Sequence, residues 1–303
     1  MNNRVFCYGE IGVDNIVEVP FLPSPEIAAF PISDTYHIGG AATNTAVWLA
    51  NLGVDTALGG NWIGRDLYGR LLWEWLDSRP HLGLRCVQRS DAETTPFCRV
   101  LVTPDGERTF LVYGYPQATK TELAAEHLHG ASYLALDLYG GEERMRAAQL
   151  AHEQGVQTAV GDVVMADHPI LPLAPLVLNS AAFMRETLPG VDVREQCRRL
   201  QSVNRGIVIA TDGAREIFAL NSDGDAFTVQ PPPVTAVDAT GAGDAFRAGL
   251  LAGLLNGEPF PRALCWGAAA GALSVRHQGA ATVLPPPEEI IALAGTLDAK
   301  AVS

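Results

Sequence analysis

The chain has 303 residues, 48% of them hydrophobic, enough to close a substantial core in one large α/β unit or two small ones. Its formal net charge of −13 repels nucleic-acid phosphates and anionic lipid, which argues against polyanionic partners and for a small-molecule ligand. Of its 21 basic residues only Lys120 and Lys300 are lysines, with no G-x-x-x-x-G-K-[ST] and no V-A-I-K context, so neither a P-loop nor a protein-kinase phosphate grip is available.

The first apolar run, Val5 to Tyr8, reads as a strand ending at Gly9. Residues 14–38 carry Pro20, Pro23, Pro25 and Pro31 around short extended stretches, which suits strands and loops outside a main sheet. Ala42 to Leu52 reads as a helix closed by Gly53. Phe97–Thr103 and Arg108–Tyr113 flank Pro104-Asp105-Gly106, whose turn chemistry predicts a hairpin; with residues 14–38, the segment 95–114 is expected to form a small β lid. Beyond residue 120 the pattern alternates: helix 121–128, strand 132–137, helix 142–154, strand 156–160, then strands at 207–210 and 216–220. Two helices follow, starting near Asp244 and Pro261, and Pro285-Pro286-Pro287 opens a terminal one. This predicts a three-layer α/β/α sandwich with a central, mainly parallel sheet, a single unit over 1–303.

Cys7, Cys86, Cys98, Cys197 and Cys265 are scattered without C-x-x-C spacing and read as reduced structural thiols. No basic-then-apolar leader opens the sequence and no apolar run reaches bilayer length, so a cytoplasmic enzyme is expected.

The strongest chemical signal is Val237-Asp238-Ala239-Thr240-Gly241-Ala242-Gly243-Asp244-Ala245-Phe246, small residues running directly into a helix marked by Phe246, Leu250 and Leu254. Free N–H groups of Gly241, Ala242 and Gly243, backed by the helix dipole, suit an anion hole for a transferring phosphoryl group. Asp244 is either an N-cap or a base that takes the proton from an acceptor hydroxyl. The turn lacks the third glycine of a dinucleotide fingerprint. Upstream, Gly39-Gly40 before a helix permits close ligand approach and Asn44 offers both a donor and an acceptor; a simple turn and a helix-start residue are the alternative.

Asp238, Thr240, Gly241, Ala242, Gly243 and Asp244 together match the C-terminal signature of the ribokinase-like, or PfkB, carbohydrate kinases, and Gly39-Gly40-Ala41-Ala42-Thr43-Asn44 resembles their N-terminal one. The resemblance covers essentially the whole chain. It implies an ATP- and Mg²⁺-dependent sugar kinase with Asp244 as base and Gly241–Gly243 as anion hole. It further implies sugar contacts from Asp14, Gly39, Gly40 and Asn44, and from Asp137 after the strand at 133–136. For the nucleotide it implies Asn179, Thr211, Gly213, Thr240, Gly241, Gly243 and Ala270, although the Ala268-Ala269-Ala270 run also reads as core. A monovalent cation such as K⁺ is implied near Asp238, Thr240, Ser274 and Gly279, and a homodimer through the lid. Arg99, alternating with Phe97 and Leu101, either closes over an anionic substrate or faces solvent. One departure stands out: the family's N-x-x-E reads here as Asn179-Ser180-Ala181-Ala182, and Glu186 does not restore the spacing. A nucleoside kinase with Phe97 or Tyr113 stacking on a base, and a binding-only sensor, are the alternative functions.

Overall fold

The computed structural model describes residues 3–104 and 108–302. In chain order the strands are β1 (Arg4–Gly9), β2 (Gly12–Glu18), β3 (Ser33–Gly39), β4 (Asp55–Gly60), β5 (Ile63–Gly64), β6 (Leu82–Cys86), β7 (Arg89–Ser90), β8 (Phe97–Val102) and β9 (Arg108–Tyr113). They continue with β10 (Ala131–Leu136), β11 (Gln157–Gly161), β12 (Leu176–Ser180), β13 (Ile207–Thr211), β14 (Ile217–Leu220), β15 (Ala226–Val229) and β16 (Ala299–Val302). The helices are α1 (Ala41–Asn51), α2 (Leu67–Asp77), α3 (Glu142–Glu153), α4 (Ala181–Thr187), α5 (Val193–Asn204), α6 (Ala242–Leu255), α7 (Phe260–Ser274) and α8 (Pro287–Gly295).

The main sheet runs β16-β15-β14-β13-β12-β11-β10-β1-β4-β6. Pairing is parallel from β13 through to β6 and antiparallel from β13 to β16. Alternate residues of each strand enter different cores, as the two-residue period of a strand requires. Val5 and Cys7 of β1 pack with α1, α6, α7 and α8, whereas Phe6 and Tyr8 pack with α3, α4 and α5. The predicted three-layer sandwich with a mainly parallel sheet is therefore present.

The lid is a separate sheet in the order β3-β2-β8-β9, with β8 and β9 antiparallel as expected of the hairpin. Of the predicted turn, Asp105 and Gly106 lie outside the described residues. The helix expected at 121–128 shrinks to one short 3-10 turn, Ala125–Leu128. Its first residue is instead drawn to the end of β4, Thr121 N–H donating to Gly60 O, next to a bond from Trp62 N–H to the preceding Thr119 O.

Helices α6 and α7 approach closely because glycine lines their contact. A methyl group on Gly249 would stand 2.6 Å from the Trp266 carbonyl oxygen, whereas one on Gly295 meets nothing within 4 Å. Gly249→Ala is expected to cost about 1–3 kcal/mol despite alanine's better helix propensity, while Gly295→Ala is neutral or stabilising, measured by urea unfolding.

Candidate active site

Two helix N-termini converge on the C-terminal edge of the sheet. Gly40 (φ 88) starts α1 and Gly241 (φ 72) starts α6, both in backbone conformations that glycine adopts without strain. Asp244 sits in the first turn of α6, and its carboxylate is held from both helices. Asn44 Nδ2 donates to Oδ2 at 3.2 Å, Thr45 Oγ1 donates to Oδ1 at 3.3 Å, and Arg247 Nη2 donates to Oδ1 at 3.0 Å. Arg247 also binds Thr45 Oγ1 at 2.7 Å and the Leu136 carbonyl at 3.3 Å, so a guanidinium buried in an apolar helix is fully engaged. Burial raises the Asp244 pKa to about 6, opposed by the Arg247 charge and the Asn44 hydrogen bond. The carboxylate thus stays ionised at neutral pH, yet has more affinity for a proton than an exposed aspartate.

Asp14, on β2, is 7% exposed and turned toward the same region. A side chain on Gly39 would collide with its carboxylate, which is what the first glycine of the N-terminal pair makes possible. Burial, then the charges of Asp238 and Asp244, raise the Asp14 pKa to about 7. Asn44 Oδ1 is buried without a hydrogen-bond partner, an acceptor whose desolvation is uncompensated unless a ligand brings a donor. Asp14, Gly39, Gly40, Asn44 and Asp244 are accordingly brought together.

Other expected residues are not. Asp137 is saturated within the protein: Oδ2 accepts the Glu10 N–H, and Oδ1 accepts Arg144 Nε at 3.0 Å and the Tyr139 N–H at 3.3 Å. It anchors the β1–β2 connection and leaves the expected sugar contact unfilled. Arg99 pairs in register with Asn15, donating to its Oδ1 at 2.8 Å, and so lies on the lid face opposite Asp14. Phe97 and Tyr113 share that opposite face and stack on each other at 4.4 Å between ring centroids, which removes them as stacking partners for a base beside Asp14. Asn179 is held by one backbone unit, accepting the Val163 N–H at 2.8 Å and donating to its carbonyl at 2.6 Å, so both ends of its buried amide are engaged within the protein. Ala270 packs against Gly249 in the α6–α7 contact.

Behind the Gly241–Gly243 turn lies a cavity of about 610 Å³ walled by Thr211, Gly213, Pro233, Ala242, Gly243 and Ala268, among others. Its size and apolar lining suit a nucleoside, and it opens onto Gly243, where a methyl group would meet no protein atom. Thr211 and Gly213 both line this cavity. The monovalent-cation cluster does not fit. Gly279 presents its N–H to Asp238 Oδ2 at 3.0 Å, Ser274 Oγ donates to Gly271 O at 2.8 Å, and Thr240 Oγ1 donates to Asp238 Oδ1 at 2.7 Å. Donors point at the carboxylate where a cation would need oxygens. Among the described residues no group of three or more His, Cys, Asp or Glu is placed to hold a metal by itself.

Four residues escaped sequence reasoning. Arg247 and Thr45 complete the Asp244 cradle, and an arginine inside an otherwise apolar helix was the available signal. Asp162 lies near enough for its charge to raise Asp244, and its Oδ2 accepts Tyr139 OH at 2.5 Å. Arg108 reaches Thr240 Oγ1 at 3.0 Å from the lid.

Residues 2–287 match the pfkB family of carbohydrate kinases. The chain is 24% identical to the ribokinase of Haemophilus influenzae over 96% of its own length and 98% of that protein. It is 29% identical to the ATP-dependent ribose-1-phosphate kinase of Halopiger xanaduensis over 91% of its length and 93% of that protein. The solved structure of Arabidopsis thaliana ribokinase complexed with ribose and ATP superposes with a TM-score of 0.84 at 20% identity, covering 97% of this chain and 99% of that one.

For Asp244 to act as a base its carboxylate, with a pKa near 6, must be deprotonated; the expectation on that role is that turnover falls below pH about 6 with a slope of one proton, and that Asp14→Asn raises the substrate KM while keeping that limb. A pH profile of kcat for both proteins checks this.

Proposed function

The chain belongs to the pfkB family of carbohydrate kinases, and from that premise we propose that Asp244 deprotonates a hydroxyl of an unmodified sugar or polyol as it attacks the γ-phosphorus of ATP. The new O–P bond forms as the bond to the ADP oxygen breaks, and the proton passes to an Asp244 oxygen. The reading is carried by the pairing of one raised-pKa carboxylate with two unfilled acceptors, Asp14 and Asn44 Oδ1, across the mouth of the anion hole. Acceptors without donors call for a ligand rich in hydroxyl groups.

Each element of the site has a chemical task. In this reading the N–H groups of Gly241 and Gly243 receive the transferring phosphoryl and the α6 dipole adds to their field, whereas the Ala242 N–H donates to the Ala239 carbonyl at 3.4 Å within the turn. Thr45 and Arg247 orient the Asp244 carboxylate and keep it ionised at neutral pH. Asp14 and Asn44 orient the acceptor. Thr211, Gly213 and Ala268 line the space for the nucleoside. Mg²⁺ bound with the phosphates would supply charge neutralisation there; of the N-x-x-E pattern this chain keeps Asn179, held by the Val163 backbone, and has alanine at position 182. The lid sheet of β2, β3, β8 and β9 covers the acceptor and excludes water from the transfer.

We further propose that the lid pairs with a second copy, since Tyr36, Leu111 and Tyr113 are exposed on the face turned away from Asp14. A dimeric mass by light scattering is the expected result.

ADP release with Mg·ATP across ketoses, aldoses, polyols, sugar phosphates and nucleosides is expected to single out an unphosphorylated sugar or polyol. Asp244→Asn should lower its kcat by about 10²–10⁴-fold with the fold intact by circular dichroism. Silence of the wild type across the panel, with ATP still bound, would instead make the protein a binding-only sensor.

A further inference from the structure

We infer that Arg108, on the outer lid strand β9, is a phosphoryl-binding residue of the closed enzyme, bringing a positive charge to the anion hole only when the lid is down. The inference rests on the kinase reading of the same site. Arg108 Nη1 donates to Thr240 Oγ1 at 3.0 Å and lies 3.6 Å from Asp238 Oδ1. Thr240 immediately precedes Gly241, the first residue of the anion hole, so the guanidinium stands beside the N–H groups that receive the phosphoryl.

Three observations make this more than a strut. Arg247, the other arginine at the site, spends its donors on Asp244, Thr45 and the Leu136 carbonyl inside the core. Arg108 keeps about a third of its side chain exposed, at 34%, and among the described residues its guanidinium, with five N–H donors, gives one hydrogen bond, to Thr240, besides its ion pair with Asp238. Second, apart from Arg247, which is spent on Asp244, the charges around the transfer point are negative: Asp14 is raised by Asp238 and Asp244, and Asp244 by Asp137 and Asp162. A dianionic phosphoryl group arriving among these carboxylates needs a counter-charge besides the one its metal supplies.

Third, the pairing register of the lid dictates this placement. Arg108 pairs with Val102, and Val102 with Glu18, which shares a face of β2 with Asp14. The other bonds that hold the lid on the core come from β2 and β3, to Gln278 and Thr282, and involve neutral groups or the Glu18 carboxylate. Among the described residues the contact from β9 is thus the cationic one between lid and core, and lifting the lid withdraws the charge. Coupling charge to closure favours transfer to a covered sugar over transfer to water.

The test compares Arg108→Ala and Arg108→Lys with the wild type. On the sugar selected by the panel, Arg108→Ala should lose about 100-fold in kcat with the sugar KM within about threefold, Lys should recover part of the loss, and added guanidinium should partly rescue the alanine variant. Calorimetry gives an arm independent of turnover: Arg108→Ala should bind the imido analogue of ATP about tenfold more weakly while Mg·ADP affinity is unchanged, because the guanidinium addresses the γ-phosphoryl. A kcat within about twofold of wild type overturns the inference. So does a loss shared equally by the analogue and ADP, or one that tracks a lowered melting temperature and ignores guanidinium. A wild type inactive on every sugar would sink the kinase reading, and the calorimetric arm would still decide the role of Arg108.

Discussion

The site depends on keeping one carboxylate charged in a place that disfavours charge. Asp244 is buried at the start of α6, where burial alone would neutralise it, and Arg247 one turn on offsets enough of that penalty to leave a pKa of about 6. The pair is joined to α1 through Thr45 and Asn44, so the relative position of the two helices is set by the same bonds that tune the base. Breaking a buried pair of this kind on one side leaves an uncompensated charge, typically at a cost of about 3–5 kcal/mol. Arg247 is therefore as much a part of this cradle as the aspartate it holds.

Close backbone approach is the second requirement, and small residues meet it at specific contacts. Gly9 makes room for Asp137, and Gly39 for Asp14. Gly249 and Gly267 bring α6 against α7, which fixes the direction in which the first turn of α6 points. A chain of tight contacts thus runs from the helix layer to the anion hole. The site itself is open where a ligand belongs, at Gly243, and closed everywhere else along that chain.

Two departures from the expected site, at Asp137 and Asn179, have one common cause, the prior commitment of polar groups. Asp137 and Asn179 have residue types able to bind a sugar or a phosphate. Each is spent on nearby backbone, Asp137 on Glu10 and Tyr139 and on the Arg144 guanidinium, Asn179 on Val163. Both hold loops at the C-terminal ends of the parallel strands, where a polar side chain satisfies chain turns that no neighbouring strand can. By contrast Asn44 and Asp14 are left with unfilled acceptor capacity, which is what distinguishes a residue that awaits a ligand from one that builds the fold.

The sequence by itself determined the alternation that makes a parallel sheet, the lid segments, the glycine turn with Asp244 at its end, and the Gly39-Gly40 and Asn44 cluster, because these depend on local period and on the special conformations of glycine. What it left open was parity and partnership. Arg99 and Arg108 both lie on lid strands, and which of them faces Asp244 is decided by pairing register: Arg99 opposes Asn15, whereas Arg108 shares the face of Asp14. A one-residue change of register would exchange them. The Asp244 cradle likewise joins residues 202 positions apart, Thr45 and Arg247, and no local pattern records a bond of that reach. Tertiary structure therefore decided which side chains still have hydrogen bonds to give, since that is settled only when every nearer partner has been counted.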